Sequence, residues 1–573
     1  MPTSEPLTTP GTARIGTEVL VVGAGPVGLT CAHELARRGV RVRVVDAATG
    51  PATTSRALAT HARTLEVYDQ MGVLDDILPR GRRVEHFTLH QNGRRLVRFD
   101  TDYSRLPTRF PFTLMIDQSL TEEALRTAAA RHGVTVEWGV RLEDFEDRGG
   151  EVGAVLRHPD GRSEAITADW LVGCDGGHST VRKRLGLKLV GESSETWLIA
   201  DAVVDCGLPQ DSIHWLRTSS GTVMMIPFPD EGKWRLLDTA ESGYESDDAL
   251  ARRFARKIEE GSGQPVRVRP PSWVSVFTIQ QRMIPAMRSG RCFVAGDAAH
   301  VHSPASGQGL NTGVQDAVNL AWKLADVIRG RAGEELLDTY GRERVPVGAA
   351  LLESTRMATV LIQLRNRWAA AALRAVFTVV RSLPPLKSKI QRKIMGGMSA
   401  LDISYAEGAE ETGGSPAPGT AAGPPSGERV AKVTAGRLAA SAGWREMLAE
   451  LREPHWTLLA FVSPGEERAD GAEAGRELRA LAAAYEGAVR VRTVVSGAGG
   501  TAEWPGALRD PGALLRNDLR ATPGGWLLIR PDGYAAARGS RLADRGPESV
   551  RTALTALGLR PVPVPAGAAR GGD

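Results

Sequence analysis

The stretch EVLVVGAGPVGLTCAHELARRGVRVRVVD, residues 18–46, constrains the fold more than any other part of the chain. An apolar, β-branched run leads into the glycine pattern Gly23-x-Gly25-x-x-Gly28, a helical pattern follows, and a second apolar run ends at Asp46. The apolar residues thus change from the period of a strand to that of a helix and back. This order predicts a βαβ unit, and therefore a parallel sheet with helices packed on it.

Each residue of this turn has a physical task in binding a dinucleotide. Gly23 permits the tight turn, Gly25 lets a pyrophosphate approach the backbone, and Gly28 lets helix and strand pack closely. The helix that opens at Pro26 offers unpaired N–H groups and partial positive charge at its N-terminus. Asp46 is placed to bind ribose hydroxyls, and its charge would repel a 2'-phosphate. The unit therefore predicts FAD or NAD rather than NADP.

Two later segments end apolar strands with an acidic residue beside a glycine. In ADWLVGCDGGHSTVRKRLG the apolar run ends at Asp175, and in RCFVAGDAAH it ends at Gly296 and Asp297. Open α/β sheets bind ligands at the carboxyl ends of their strands. Both acids are therefore candidates for contact with the same ligand.

Together the three motifs resemble one family. A glycine fingerprint ending in an acid, then Asp-Gly-x-x-Ser-x-x-Arg, then Gly-Asp-Ala-Ala-His, is similar to the FAD-dependent aromatic hydroxylases of the p-hydroxybenzoate hydroxylase fold. The resemblance covers about residues 17–405. It implies that Asp297 contacts the ribityl chain or pyrophosphate of FAD. It also implies that Asp175 lies by the pyrophosphate and organises the groove that the nicotinamide cofactor visits.

Further contacts with FAD follow from the same resemblance. The segment SRALATHARTLEVYDQMG matches the family's segment after the first βαβ unit, which places Arg56 at the flavin. The segment IDQSLTEEAL matches a helix start whose glutamine, Gln118, reaches FAD. Pro304 is expected to press against the face of the flavin ring.

The segment GDAAHVHSPASGQGLNTGVQDA then has a physical explanation. Reduced flavin carries negative charge, and the backbone amides of Gly307, Gly309, Leu310 and Asn311 can point at it from the start of an apolar helix. The glycines give the ring access to the backbone.

Simpler interpretations of these residues stay open. Arg56 alone is typical of a surface ion pair, and Asp175 and Asp297 each stand where a helix N-cap could. We expect His300 and His302 to pack or to hydrogen-bond rather than to transfer protons. Their spacing does not indicate a metal site.

The motifs and the resemblance together predict three catalytic residues, a larger cofactor-binding set and no metal ligand. The catalytic residues are Arg56, Pro304 and Asp175. The cofactor-binding residues are Gly23, Gly25, Pro26, Gly28, Asp46, Arg56, Gln118, Leu142, Asp175, Gly296, Asp297, Gly307, Gly309, Leu310 and Asn311.

The predicted fold class is α/β, with a Rossmann-like FAD-binding domain that carries an inserted β-rich substrate domain. A helical segment and a C-terminal thioredoxin-like α/β domain follow it. The predicted boundaries are a disordered leader at 1–16, the FAD-binding domain at 17–79, 115–190 and 285–353, the substrate domain at 80–114 and 191–284, the helical segment at 354–405, a linker at 406–428 and the thioredoxin-like domain at 429–573.

The substrate domain carries apolar residues that suit a flat aromatic ligand, although such a stripe is as typical of a core. They are Trp215, Met224, Met225, Phe228 and Phe277.

The C-terminal domain differs from thioredoxin at the redox position. Residues 463–465, Ser-Pro-Gly, stand where a CxxC motif would, and no cysteine follows Cys292. Thiol exchange is therefore impossible there. We expect this domain to be structural or an interaction surface, and flavin chemistry to survive without the residues after about 410.

Charge and cysteine usage exclude several classes of partner. Lys plus Arg number 71 against 67 Asp plus Glu, a net charge of +4 that gives no field for nucleic acid. No export signal or membrane-spanning stretch is visible, and the basic segment within 354–393 is expected to be a solvated helix face rather than a membrane contact. Four cysteines without CxxC spacing fit a reducing cytoplasm. The chain is expected to be a monomer or a homodimer.

The resemblance implies a single-component FAD-dependent monooxygenase with non-covalent FAD. NAD(P)H would reduce the flavin as a transient co-substrate, O2 would add at C4a, and the hydroperoxide would hydroxylate an aromatic or polyketide-derived small molecule. A Baeyer–Villiger monooxygenase or a flavin oxidase would use the same motifs. A non-catalytic flavin-binding interaction protein is the alternative from another class.

Overall fold

The computed structural model describes most of the chain. The described residues are 16–55, 57–100, 106–302, 307–363, 399–406, 423–462, 469–496, 506–540, 542 and 549–562. The predictions for Arg56, for Pro304 and for the leader before residue 16 fall outside them, as does most of the stretch 354–428.

The first part of the chain alternates strands and helices. Its elements are β1 (Thr17–Val22), α1 (Pro26–Ala36), β2 (Val42–Asp46), β3 (Ala59–Thr60), α2 (Ala62–Gln70), α3 (Leu74–Ile77), β4 (Arg82–Val84), β5 (His86–Gln91), β6 (Arg94–Asp100), β7 (Thr113–Met115), α4 (Gln118–Ala130), β8 (Val136–Trp138), β9 (Arg141–Asp147), β10 (Val152–Arg157), β11 (Ser163–Gly173), α5 (Thr180–Arg184) and β12 (Val190–Asp205).

The middle and C-terminal parts continue in the same style. The middle part contains β13 (Ser212–Thr218), β14 (Gly221–Pro227), β15 (Lys233–Asp238), α6 (Asp247–Ser262), β16 (Arg267–Val268), β17 (Trp273–Met283), β18 (Arg288–Ser289), β19 (Cys292–Val294), β20 (His300–Val301), α7 (Gly309–Ile328) and α8 (Asp338–Gln363). The C-terminal part contains α9 (Ala435–Ala440), α10 (Ala442–Glu450), β21 (Trp456–Val462), α11 (Ala469–Ala484), β22 (Val489–Ser496), β23 (Ala507–Asp510), α12 (Leu514–Asp518), β24 (Trp526–Ile529), β25 (Ala535–Gly539) and α13 (Val550–Ala556).

The first sheet brings the three sequence motifs together. Its strand order is β18-β19-β11-β1-β2-β8, and β19, β11, β1 and β2 run parallel. Their carboxyl ends therefore lie along one edge, which is where a parallel α/β sheet binds ligands. α1 and α7 pack against each other over this sheet, with Leu29, Leu35, Val314 and Leu320 fully buried.

The second sheet has the order β20-β17-β12-β15-β14-β13-β5-β6 and forms the inserted domain. α6 covers one face, where Phe254 packs in one cluster with Met225. Trp215, Met224 and Phe277 share a separate cluster on the other face. Successive residues of a strand point to opposite faces, so Met224 and Met225 cannot serve the same surface.

The C-terminal sheet has the order β23-β22-β21-β24-β25, with β21, β22 and β23 parallel and the other two antiparallel. One face packs on α10 and α12 through Trp444 and Leu515. The other face packs on α11 and α13, and its core includes Trp322 of α7. The C-terminal core is thus continuous with the body that carries the first sheet.

These observations confirm the predicted α/β class. The domain boundaries and the thioredoxin-like assignment stay predictions. Among the described helices, none combines the length and the apolar character that crossing a bilayer requires.

Two buried histidines link neighbouring strands of the second sheet. His214 Nε2 donates to the Pro209 carbonyl at 2.9 Å, which leaves Nδ1 to accept from His90 Nε2 at 3.1 Å. Burial lowers the pKa of both imidazoles to about 4, and in His90 the neighbouring His214 and Arg95 add to the effect. The folded chain therefore holds both rings neutral at pH values where free histidine is charged.

This pair predicts an acid-sensitive fold. Between pH 6.5 and 4 the unfolded chain binds protons that the folded chain does not, so stability is complete above this window and falls as the pH drops through it. Denaturant unfolding at pH 5 should give a free energy of unfolding lower by about 1–2 kcal/mol per histidine than at pH 7.5. The double variant His90→Gln/His214→Gln should flatten this dependence, whereas His178→Gln, at an exposed position, should not. An equal pH slope in the double variant would contradict the assignment.

Candidate cofactor and active site

The turn after β1 is closed to side chains at two glycines and open at the third. A Cβ on Gly23, whose φ is 103°, would lie 2.4 Å from the Cys174 carbonyl oxygen. A Cβ on Gly28 would lie 1.9 Å from the Gly23 carbonyl oxygen. A Cβ on Gly25 would meet no atom within 4 Å. The backbone at Gly25 therefore faces free space large enough for a ligand to approach.

The acid at the end of β2 is fixed beside this turn. Asp46 Oδ2 accepts from the Ala24 amide at 2.6 Å, and Oδ1 accepts from the Ala48 amide at 2.8 Å. No side chain caps the N-terminus of α1, which begins at Pro26, so its amide groups keep their partial positive charge. The turn thus combines free helix amides with a positioned carboxylate.

Asp175 follows β11 and has the contacts of a helix cap. Its Oδ2 accepts from the amides of Thr180 at 2.6 Å and Val181 at 3.1 Å, and its Oδ1 accepts from the Ser179 hydroxyl. These bonds fix the start of α5. They agree with the simpler interpretation of Asp175 as a residue that caps a helix. A role of Asp175 toward a cofactor stays a prediction.

The turn after β19 is fixed by a buried carboxylate that the sequence analysis did not predict. Asp316 of α7 is fully buried, and its Oδ2 accepts from the Gly296 amide at 3.1 Å and from His300 Nε2 at 2.7 Å. Its Oδ1 accepts from Arg344 Nε at 2.6 Å. Burial would raise the pKa of Asp316, but Arg344 and His300 hold it below its usual range. A lone acid in the apolar run TGVQDAVNLAW was the available signal.

The exposed Asp297 stands above this buried anchor. Its Oδ1 is 3.9 Å from where a Cβ on Gly309 would lie. The Asp297 carboxylate is therefore at the first turn of α7, next to the glycine loop.

The start of α7 is joined to the segment after β2. Asn311 Oδ1 accepts from the His61 amide at 2.8 Å, and Asn311 Nδ2 donates to the carbonyls of Ala59 and Gly307. A Cβ on Gly307, whose φ is 63°, would lie 2.9 Å from the Ala59 Cβ. No side chain caps α7 at Gly309, so its first amides are available to a ligand.

Gln118 holds the residues on either side of Arg56. Its Oε1 accepts from the Ala57 amide at 2.9 Å, its backbone amide donates to Ser55 Oγ at 2.8 Å, and its Nε2 donates to Glu122. From the second sheet, Arg235 Nη2 donates to the Ser55 carbonyl at 2.6 Å, and Arg235 Nε and Nη2 also donate to Asp201. Ser55 and Ala57 are thus tied to α4, and Ser55 is also tied to the second sheet.

Of two predicted cofactor-binding leucines, one lies in the protein core and the other at its edge. Leu142 is 3% exposed in the main core cluster, so only its backbone could face a dinucleotide. Leu310 packs against the same cluster from its edge.

The hydrogen-bonding groups on this edge suit FAD. The open backbone at Gly25 and the uncapped N-terminus of α1 match a pyrophosphate, and the uncapped N-terminus of α7 matches a negatively charged ring. The fixed Asp46 carboxylate matches a ribose. Gly23, Gly25, Gly28, Asp46 and Asp297 all lie at this edge, and their roles in binding FAD stay predictions.

Comparisons with known proteins agree with this geometry. Residues 16–355 match the family described as FAD binding domain. The chain is 54% identical over 547 residues to 6-methylpretetramide 4-monooxygenase of Streptomyces rimosus, across 95% of this chain and 94% of that protein. It is 34% identical over 400 residues to the 12-dehydrotetracycline 5-monooxygenase/anhydrotetracycline 6-monooxygenase of Streptomyces rimosus subsp. rimosus, across 68% and 77%.

A solved structure extends the likeness to nearly the whole chain. The anhydrotetracycline hydroxylase OxyS from Streptomyces rimosus superposes with a TM-score of 0.70 at 27% identity, covering 96% of this chain and 100% of that one. The carboxyl ends of β19, β11, β1 and β2, with the groups described there, form what we call the cofactor edge. The sequence match, the cofactor edge and this superposition agree, and the chain belongs to the FAD-dependent aromatic hydroxylases that carry this FAD binding domain.

Proposed function

We propose that this protein uses FAD, NAD(P)H and O2 to hydroxylate a polycyclic aromatic polyketide related to 6-methylpretetramide. The observation that carries this proposal is the 54% identity to 6-methylpretetramide 4-monooxygenase, which spans nearly all of both chains. Such a match includes the substrate domain and the C-terminal domain as well as the FAD-binding residues. The cofactor edge described above supports it independently.

In this proposal the strand ends hold FAD without a covalent bond. The amides of Gly25 and of the first turn of α1, beginning at Pro26, bind the pyrophosphate, and Asp46 binds the ribose. Asp297 binds the ribityl chain or the pyrophosphate from the other side. Gln118 contributes by fixing the segment beside Arg56.

When bound, FAD supplies the redox chemistry with NAD(P)H and O2. The chain supplies charge stabilisation and enclosure. The uncapped amides of Gly309, Leu310 and Asn311 carry the positive end of the α7 dipole toward the ring. Asp175 orders the loop that the nicotinamide approaches, because it fixes the start of α5.

The substrate lies in this proposal against the face of the second sheet that is turned away from α6. Trp215, Met224 and Phe277 share that face with the fully buried Trp197. Flat fused rings pack well on aromatic side chains, and their hydroxyl and carbonyl groups need few donors. Phe228 and Met225 pack elsewhere and are not part of this surface.

Location and assembly complete the proposal. All four cysteines, Cys31, Cys174, Cys206 and Cys292, are free thiols, which fits a cytoplasmic enzyme. We propose a monomer or a homodimer. A Baeyer–Villiger monooxygenase or an oxidase would give a ring-expanded or a desaturated product, and a non-catalytic flavin protein would give none.

Turnover with a labelled oxidant tests the proposal. Purified protein with NAD(P)H, 6-methylpretetramide and ¹⁸O2 should yield a product that carries one ¹⁸O atom in a new ring hydroxyl, as read by mass spectrometry and NMR. NAD(P)H oxidation should be slow and release hydrogen peroxide without substrate, and should accelerate with it. Product oxygen from water, or an oxygen inserted between ring carbons, would contradict hydroxylation.

The glycine turn gives a test of FAD binding that separates folding from binding. Gly25→Val adds its side chain into free space and should leave the stability of the apoprotein within about 1 kcal/mol, yet weaken FAD binding roughly a hundredfold by blocking the pyrophosphate. FAD titration followed by flavin fluorescence measures the affinity. Gly150→Val, at an exposed site that is equally open, is the control and should bind FAD normally. Normal FAD affinity in Gly25→Val would show that the pyrophosphate lies elsewhere.

Arg56 and Pro304 are proposed to act at the flavin ring. Arg56→Ala should change how strongly substrate accelerates NAD(P)H oxidation by more than it changes FAD affinity, because the neighbouring residues remain tied by Gln118 and Arg235. Stopped-flow reduction with and without substrate measures this ratio. An unchanged ratio with lost FAD affinity would make Arg56 a binding residue only.

A further inference from the structure

A buried ionic cluster lies behind the cofactor edge, between the body that carries the first sheet and the C-terminal domain. All its charged side chains are at most 9% exposed. Its members are Arg63, Glu66, Asp316, Lys323, Glu343, Arg344, Arg429, Arg530 and Asp532, together with the rings of Tyr405 and Tyr534.

Arg530 forms the first connection across the cluster. It donates to both oxygens of Glu343 in α8, at 2.9 and 2.8 Å, and to both oxygens of Asp532. Glu343 also pairs with Lys323 of α7 at 3.0 Å, and Asp532 accepts from Trp322 Nε1 at 3.1 Å. One C-terminal arginine thus fixes α7 and α8 relative to β24.

Arg429 forms the second connection. Its Nη1 donates to both oxygens of Glu66 in α2, at 2.9 and 3.0 Å, and Glu66 also pairs with Arg63. Arg63 Nη2 donates to the Asp532 carbonyl at 3.0 Å, and its guanidinium lies 5.0 Å from the centre of the Tyr534 ring. These bonds therefore fix α2, the helix that begins at Ala62, to the C-terminal domain.

The third connection reaches the cofactor edge. The rings of Tyr534 and Tyr405 are 4.6 Å apart, and the Tyr405 hydroxyl accepts from Arg344 Nη1 at 3.0 Å. Arg344 donates in turn to Asp316, the residue that accepts from the Gly296 amide. Four contacts therefore lead from the C-terminal domain to the turn that carries Asp297.

Ionic groups buried in this way are costly unless each is paired, and a pair broken on one side leaves an uncompensated charge. The cluster also shares its interface with the apolar core around Trp322 and Trp456, whose rings lie 5.2 Å apart. The C-terminal domain and the first sheet should therefore open together rather than separately.

We propose that the C-terminal domain is a brace for the FAD site, with Arg530 and Tyr405 as positioning residues that act through Glu343, Arg344 and Asp316 on the turn at Gly296. The inference rests on the proposed placement of FAD along the strand ends. It replaces the expectation that flavin chemistry survives without the residues after about 410. Linkage requires that FAD binding in turn stabilises the C-terminal strands.

Hydrogen exchange on the full chain tests this linkage. Saturating FAD should slow amide exchange in β21 and β24 by about tenfold relative to the apoprotein, although β21 begins 101 residues beyond the last matched residue of the FAD-binding family. Tyr405→Phe removes only the hydroxyl that accepts from Arg344 Nη1, and it should cut this slowing to about threefold or less. It should also weaken FAD binding by a similar factor, because the coupling is reciprocal.

Two further variants keep the test decisive. Arg530→Met should abolish the slowing of exchange by FAD. If Arg530→Met does not fold, Tyr405→Phe is the variant that decides. Asp518→Asn removes an ion pair with Arg437 in the C-terminal domain outside the cluster, so it should lower protection there without changing the effect of FAD. If FAD binds and turnover proceeds but β21 and β24 exchange at the same rate with and without it, the brace is wrong while the proposed function stands. If FAD slowing is full in Tyr405→Phe, the positioning role of Tyr405 is wrong. Failure of wild-type protein to bind FAD would instead overturn the proposed function.

Discussion

The close packing of α1 on the ends of β1 and β11 is the constraint on which the cofactor edge depends. Gly28 touches the Gly23 carbonyl, and Gly23 in turn lies against Cys174 at the end of β11. A Cβ on Gly313 of α7 would lie 2.6 Å from Val27 Cγ2, so α7 approaches the same helix almost as closely. Because glycines at these contacts let the elements approach closely, two uncapped helix N-termini and four strand ends converge at one edge of the sheet. Any one of these close approaches, if widened, would separate the groups that bind the dinucleotide.

Polar groups continue this convergence into the interior. Asp316 ties the turn at Gly296 to Arg344, and Arg344 ties it to Tyr405. The Arg530 guanidinium lies 5.0 Å from the centre of the Tyr405 ring, which connects Tyr405 to Arg530 and its partners Glu343 and Asp532. The chain of bonds is buried throughout, which makes its geometry specific because few alternative pairings satisfy every charge. The cofactor edge is thus fixed by close contacts at glycines and, in the interior, by buried charged side chains.

The local parts of this arrangement could be predicted from the sequence. The glycine turn, Asp46 and Asp297 each stand in a short motif whose strand and helix periods fix their position at a strand end. His300 was also expected to pack or to hydrogen-bond, and it does hydrogen-bond to Asp316. Periodicity alone placed Met224 and Met225 on one apolar surface, although the alternation of a strand should have separated them.

The long-range parts could not be predicted in this way. Arg235 meets Ser55 across 180 residues and Arg429 meets Glu66 across 363, and no local pattern encodes such pairs. Isolated charges in apolar helices, such as Asp316 and Lys323, were a signal that buried partners exist. The sequence could not say which residues those partners are, because pairing depends on how the separate cores dock. From the sequence the C-terminal domain therefore looked separable from the FAD-binding part. In the structure the two parts share an apolar core around Trp322 and a buried ionic cluster.

The crystal structure of the full-length protein with FAD tests the central claim most directly. In that structure pyrophosphate oxygens should lie within about 3 Å of the Gly25 amide, the ribose at Asp46 and the isoalloxazine ring at the first turn of α7. The Gly296 amide should remain bonded to Asp316 in that structure. A dinucleotide bound away from the carboxyl ends of β19, β11, β1 and β2 would contradict it.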